Sequence, residues 1–459
     1  MSGIPIGYDG LERLGLRYRT PRVTLALILI NAIVYFVTSA GEGLVAVSER
    51  WVEAGGFIPL LVLNDPLQSY RFLTSMFLHG NLFHIFFNMY YLYIFGRAVE
   101  NTLGPRRFLA LYLASGIVAS VFHTAFSALQ GIAALTVPAV GASGAISGVL
   151  GAYLMLYPGT SMTVCWWYAI FPLCFTLRAS TYLLFWFAIQ VIYGYLSAGS
   201  GVAFFAHAGG FLGGIALLPL LLDRAVHMYL RLRTSVERFF GFIRLGSSRG
   251  GIGTLTKAVM SLMIAALVLG GLYTALWGLP RLAGPVYAVQ VHTDFTVGTY
   301  GGLFRLKGSD QGTVFVTIHE GDAELQPVGS EPLRVLMNRL VFSGLIFSRG
   351  SARAHVYIKE AELKASVYGV TVPVIVRDFE GVYDGYGFLI EGRGSVASWA
   401  VAVGVGRSDK YYEFSFVLSS RGPMGVGESL RFVALVSILV SLAALYVVVY
   451  KDRELVIVS

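Results

Sequence analysis

Charged side chains are scarce in this chain. They make up 13% of its 459 residues, about half the share found in soluble globular domains, roughly 25%. Most of the length therefore cannot present an ordinary solvated surface. Cysteine is rarer still. Cys165 and Cys174 are the only two, and both fall in one connecting segment, which excludes a disulfide framework and a cysteine metal cluster. The sequence also lacks H-E-x-x-H and paired aspartates within apolar runs, so the zinc and aspartyl modes of hydrolysis inside a membrane are excluded. Basic residues outnumber acidic ones, 34 to 26, for a net charge of +8. They sit in short loops between apolar runs, without a basic aromatic groove, helix-turn-helix or zinc-finger spacing, so no nucleic-acid partner is expected. What remains is apolar: 56% hydrophobic residues and a mean hydropathy of +0.68.

A bilayer core about 30 Å thick needs roughly 20 apolar residues per helix. Candidate runs lie near 23–40, 82–96, 107–130, 143–157, 180–197, 203–222, 255–277 and 430–450. Arg13, Arg17, Arg19 and Arg22 precede the first run. Arg97, Arg106 and Arg107 follow the second, and Arg224, Arg231, Arg233, Arg238, Arg244 and Arg249 follow the sixth. If every run spans, all lie on one side, which the positive-inside rule makes the cytoplasm. Both termini then face inward, and the loop 41–78 and the stretch 281–428 face outward. Residues 159–178, with Cys165-Trp-Trp-Tyr168, read as an interfacial connector, an amphipathic hairpin. Residues 281–428 hold β-rich runs such as Thr313–Ile318, Ala354–Ile358, Val370–Val376 and Tyr411–Val417, separated by Gly, Asp and Ser. They predict a soluble β-sandwich or barrel of about 140 residues.

The expected fold is an α-helical polytopic membrane protein with an inserted extracytoplasmic all-β domain. Its expected divisions are a cytoplasmic segment 1–22, a six-helix core 23–222, a basic cytoplasmic linker 223–254 and a seventh transmembrane helix 255–278. A β-sandwich-like domain 279–428, an eighth helix 429–451 and a cytoplasmic tail 452–459 follow. Residues 1–20 are polar, so a cleaved signal peptide is not expected.

Polar groups inside apolar spans are costly and point to function. Ser143 lies in Gly141-Ala-Ser-Gly144, where the fourth run begins. It could simply cap a helix. The pattern also suits a nucleophile: glycines admit a substrate closely, and a helix N-terminus offers N–H groups to an oxyanion. His207 opens the sixth run, where a lone histidine is usually a packing residue. Gly210 and Gly214 follow it, as Gly144 and Gly148 accompany Ser143. Small residues at that spacing let two helices touch, which would bring the serine hydroxyl within reach of a histidine base. His84 and Asn88 share one helix face at i, i+4. A neutral His and an Asn fit an oxyanion donor pair better than a metal site, and a buried structural network is the plain alternative. His123 reads as structural, and Glu100 and Arg71 as network anchors. No metal or cofactor is expected.

With these residues in order, the sequence resembles the rhomboid proteases. Tyr70-Arg-Phe-Leu-Thr-Ser-Met-Phe-Leu-His79, His84-x-x-x-Asn88, Glu100-x-x-x-Gly104, Gly141-Ala-Ser-Gly144 and Ala206-His-x-x-Gly-x-x-x-Gly214 follow the family's order and spacing over about residues 20–222. The resemblance implies a six-helix core and a Ser143–His207 dyad without an acidic third member. It implies an oxyanion hole lined by His84, Asn88 and the Ser143 N–H, with the glycines Gly141 and Gly144 framing the nucleophile. Substrates would be proteins with transmembrane helices, met in the bilayer. The site would open to the extracytoplasmic side of the cell membrane. The β-domain would either dock a protein ligand or serve as a spacer. A catalytically silent relative that binds or escorts membrane clients is the alternative. Two departures stand out. Tyr70 replaces a common Trp. Ser147 replaces an aromatic that usually packs on the catalytic histidine, which leaves the orientation of His207 without that support unless Ser147 hydrogen-bonds to it.

Overall fold

The computed structural model describes residues 20–168, 171–196, 202–223, 251–277, 286–299, 305–319, 322–326, 330–347, 355–367, 370–384, 387–402, 406–423 and 426–457. The expected N-terminal segment and basic linker lie almost wholly outside them. The chain divides into two compact units, Met1–Gly278 with Glu428–Ser459, and Leu279–Gly427.

The first unit is helical. Its long helices are α1 (Arg22–Ser39), α2 (Leu82–Tyr91), α3 (Pro105–Ser127), α4 (Ser143–Leu156), α5 (Ala179–Leu196), α6 (Phe204–Leu221) and α7 (Thr254–Trp277), with α9 (Val426–Tyr446) returning after the second unit. Each expected run is a helix. By length and composition six of these helical stretches suffice to cross a membrane. α2 continues through a π-helical turn, Leu92–Gly96, into Arg97–Leu103. α4 is only 14 residues long, about 21 Å at roughly 1.5 Å per residue. The chain is a polytopic helical membrane protein. Its outward helix faces carry exposed Phe36, Leu220, Leu262 and Phe432, as lipid-facing surfaces do.

Local chemistry sets the boundaries. The Glu100 carboxylate accepts the backbone N–H groups of Val23 and Thr24, at 2.9 and 2.8 Å, and the Thr24 hydroxyl at 2.7 Å. It thereby caps α1 from a distant helix and complements its positive end. Asn81 caps α2 by accepting the His84 N–H at 2.9 Å. In the loop 40–81, Arg71 is buried and donates to the carbonyls of Glu53 and Gly56, at 2.8 and 2.7 Å, and to Gln68. Glu100 and Arg71 are thus structural anchors.

The added helices join the core through specific contacts. Tyr195 of α5 donates to the Ala266 carbonyl of α7 at 2.8 Å, and Thr274 of α7 to Ala125 of α3 at 3.1 Å. Near the chain's end, buried Asp452 pairs with Lys257 at 2.7 Å. The Ile457 N–H meets the carbonyl of Leu156, the last residue of α4, at 2.8 Å. The connector after α4 is an antiparallel hairpin, β1 (Ser161–Tyr168) and β2 (Phe171–Arg178). Its register sets Cys165 opposite Cys174, and Cys174 is disulfide-bonded. The sequence reading had excluded a disulfide framework, and the cysteine spacing alone does not reveal this register.

The second unit corrects an expectation. Instead of a β-sandwich-like or all-β domain, its described residues form one antiparallel sheet of seven strands with a helix, α8 (Glu331–Phe342). The strands are β3 (Val286–Thr299), β4 (Arg305–His319), β5 (Asp322–Gln326), β6 (His355–Val367), β7 (Val370–Tyr383), β8 (Leu389–Ala402) and β9 (Gly406–Pro423), in the order β5-β4-β3-β9-β8-β7-β6. Leu333, Leu336, Met337 and Leu340 of α8 join the same buried cluster as the inward residues of the sheet. In β7 the buried positions run 372, 374, 376, then 379, 381, 383. The register slips between Val376 and Asp378, and this bulge keeps both halves of the strand facing one core.

Candidate active site

Ser143 is the first residue of α4. The loop before it is pinned by Gly141, whose N–H donates to the Ser75 carbonyl at 2.9 Å. Gly141 has φ +122°, and a Cβ there would lie 2.8 Å from His84 Nε2. The position therefore needs glycine twice over, for its backbone and for its imidazole neighbour. The second half of the site rests on α6. A Cβ at Gly210 would collide with the Gly144 carbonyl, and one at Gly214 with that of Gly148. Because those side chains are absent, α4 and α6 touch backbone to backbone. At the top of the contact, Ser143 Oγ and His207 Nε2 stand 2.8 Å apart.

His84 faces the same loop. The Gly80 N–H donates to its Nδ1 at 3.3 Å, so the neutral ring carries its proton on Nε2, the nitrogen against Gly141. Asn88, buried one turn below, donates to the His84 carbonyl at 2.8 Å. That uses one of its two amide hydrogens. His79, also fully buried, accepts the Ala142 N–H at 3.4 Å, and its ring lies 5.2 Å from that of His84. A cavity of about 40 Å³ adjoins Ser143 and is lined also by Ser75, Ser120 and His123. Such a space admits a few waters or a small side chain. Among the described residues no group of His, Cys, Asp and Glu is placed to hold a metal.

Residues 66–224 match the Rhomboid domain family. The chain contains a rhomboid domain. The Rhomboid protease GluP of Bacillus subtilis (strain 168) is 34% identical over 134 residues, which is 29% of this chain and 24% of that protein. RHOMBOID-like protein 6, mitochondrial, of Arabidopsis thaliana is 30% identical over 209 residues, 46% of this chain and 60% of its own length. The Presenilin-associated rhomboid-like protein, mitochondrial, of Homo sapiens is 34% identical over 148 residues, 31% of this chain and 35% of its own. The matched stretch thus spans from about a quarter to three fifths of these relatives.

The rhomboid match contains the six polar and glycine positions singled out above, and it ends before α7, the sheet unit and α9. Within this rhomboid core, Ser143, His207, His84 and Gly141 form one cluster, with Asn88 beneath His84 and Gly144 in the helix contact. Beyond the sequence reading, His123 lines the same cavity as Ser143. Ser147 does not reach His207: its hydroxyl donates to the Ser143 carbonyl at 2.6 Å, one turn back. Instead Gln190 of α5 stands 2.9 Å from His207 Nδ1, and the Trp186 ring lies 6.2 Å from the imidazole. Trp186 and Gln190 are four apart, on one helix face. That spacing was visible, but without the position of α5 beside α6 it signified nothing.

Proposed function

We propose that this rhomboid is an intramembrane serine endopeptidase that cuts membrane proteins within or near their transmembrane helices. The reading rests on the 2.8 Å hydrogen bond from the Ser143 hydroxyl to His207 Nε2 at the N-terminus of a buried helix. Ser143 Oγ attacks the scissile carbonyl while His207 takes its proton. The oxyanion receives the Nε2–H of His84, the second amide hydrogen of Asn88 and the N–H groups at the start of α4. His207 then protonates the leaving amine, and water hydrolyses the acyl-enzyme. Carbonyls in an intact helix are already hydrogen-bonded, so small or helix-destabilising residues near the cut favour the reaction. By the distribution of Lys and Arg, the site opens to the extracytoplasmic side of the cell membrane, where the sheet unit also lies, and both termini are cytoplasmic.

The test uses the full chain in proteoliposomes with a substrate carrying one such helix. Cleavage is expected from the wild type and is expected to fall to background in Ser143→Ala and His207→Ala. Cleavage retained by Ser143→Ala would rule out this serine. A wild type that binds the substrate and leaves it intact would favour the escort reading.

A further inference from the structure

We infer that Gln190 is the positioning residue of this site, the third member of a Ser143–His207–Gln190 relay. The inference rests on the proposed dyad, and its geometry is independent of any relative. A histidine serves as base toward Ser143 only if Nε2 is unprotonated, so the neutral ring must carry its proton on Nδ1. In the Ser-His-Asp template an aspartate enforces that tautomer. Here the group facing Nδ1 at 2.9 Å is the Gln190 side-chain oxygen.

The orientation of that amide follows from its other contact. Gln190 Nε2 donates to the Trp186 carbonyl at 3.3 Å. A carbonyl can only accept, so the NH₂ must face Trp186 and the oxygen must face the imidazole. That oxygen can only accept as well. His207 Nδ1 is therefore the donor, and Nε2 is left to accept the Ser143 hydroxyl at 2.8 Å. Three hydrogen bonds run in one direction, from serine to histidine to glutamine to the α5 backbone.

Burial strengthens the arrangement. Gln190 is 6% exposed, so water competes little for the imidazole N–H. A carboxylate would give firmer support to an imidazolium, but an ionised group at this depth is costly. A neutral amide orients the ring without that cost. The same face of α5 supplies the aromatic wall: Trp186 lies beside His207 and 5.8 Å from Phe211. Trp186 and Gln190 together take over the support that an aromatic at position 147 would give, since the Ser147 hydroxyl is engaged by its own helix.

The experiment compares wild type, Gln190→Leu and Gln190→Glu as full chains, with two readouts. The first is the nitrogen NMR spectrum of histidine-labelled protein in lipid, with the His207 signals assigned by their loss in His207→Ala. The wild type and Gln190→Glu are expected to show His207 protonated on Nδ1, and Gln190→Leu a mixture of tautomers. The second is steady-state cleavage. Gln190→Leu is expected to lower kcat by roughly 10²-fold with KM unchanged, below the ~10⁴ lost when the triad aspartate is neutralised, and Gln190→Glu to recover most of it. Unchanged unfolding temperatures establish that the comparison concerns orientation. A Gln190→Leu protein with a single Nδ1-protonated His207 and wild-type kcat overturns the inference. So does a loss of activity that tracks a lower unfolding temperature and is not recovered by Gln190→Glu. If the wild type cleaves nothing, the protease reading fails, while the NMR arm still decides whether Gln190 sets the tautomer.

Discussion

A seryl hydroxyl is a weak nucleophile until a base takes its proton and something receives the charge it creates. In the proposed mechanism those tasks fall to different residues on different helices around Ser143. His207 faces the hydroxyl, and His84 presents its Nε2 at Gly141. The Gly80 N–H that occupies His84 Nδ1 selects the tautomer protonated on Nε2, the donor that the proposed oxyanion hole requires. Removal of His84 is expected to act on the transition state more than on binding. Steady-state cleavage by His84→Ala should show kcat lower by about 10²–10³ with KM little changed. A variant with wild-type kcat would take His84 out of the oxyanion hole. Most of this cluster was legible in the sequence, because Ser143, His207, His84 and Asn88 are polar residues in apolar runs. Gln190 is also polar in an apolar run. It was passed over because its meaning depends on how α5 is rotated against α6, and local spacing carries no such information.

Between elements, the glycine pattern was the informative signal. Gly144 and Gly148 on α4 oppose Gly210 and Gly214 on α6, and a close helix crossing could be read from those spacings alone. The distant cap on α1 could not: Glu100 lies 76 residues from Thr24, and its three hydrogen bonds arise only once both helices are in place. Each such bond to a charged acceptor contributes about 1.5–3 kcal/mol, which explains why a carboxylate is tolerated there. The sheet unit divides the same way. Alternation marked its strands, but strand patterns do not say whether two sheets form or one. α8 was legible and missed, since Leu333, Leu336, Met337 and Leu340 repeat at helical spacing within a β-rich stretch.

For the whole molecule, the proposed orientation rests on the arginine-rich loops that the sequence places on one side. It predicts that Ser309, exposed on β4, is extracytoplasmic. A Ser309→Cys protein in intact cells should react with a membrane-impermeant maleimide without permeabilisation; labelling only after permeabilisation would invert the topology. Orientation decides which side the short helix α4 opens toward. At about 21 Å it falls short of a bilayer core of roughly 30 Å, so Ser143 can sit below one surface yet remain open to water. The central claim is that Ser143 is a nucleophile activated by His207. Its most direct measurement is treatment of the full chain in lipid with a fluorophosphonate, followed by mass spectrometry of its peptides. The account predicts one adduct, on Ser143, that is lost in His207→Ala. An unlabelled Ser143 in the folded wild type, or equal labelling without His207, would contradict it.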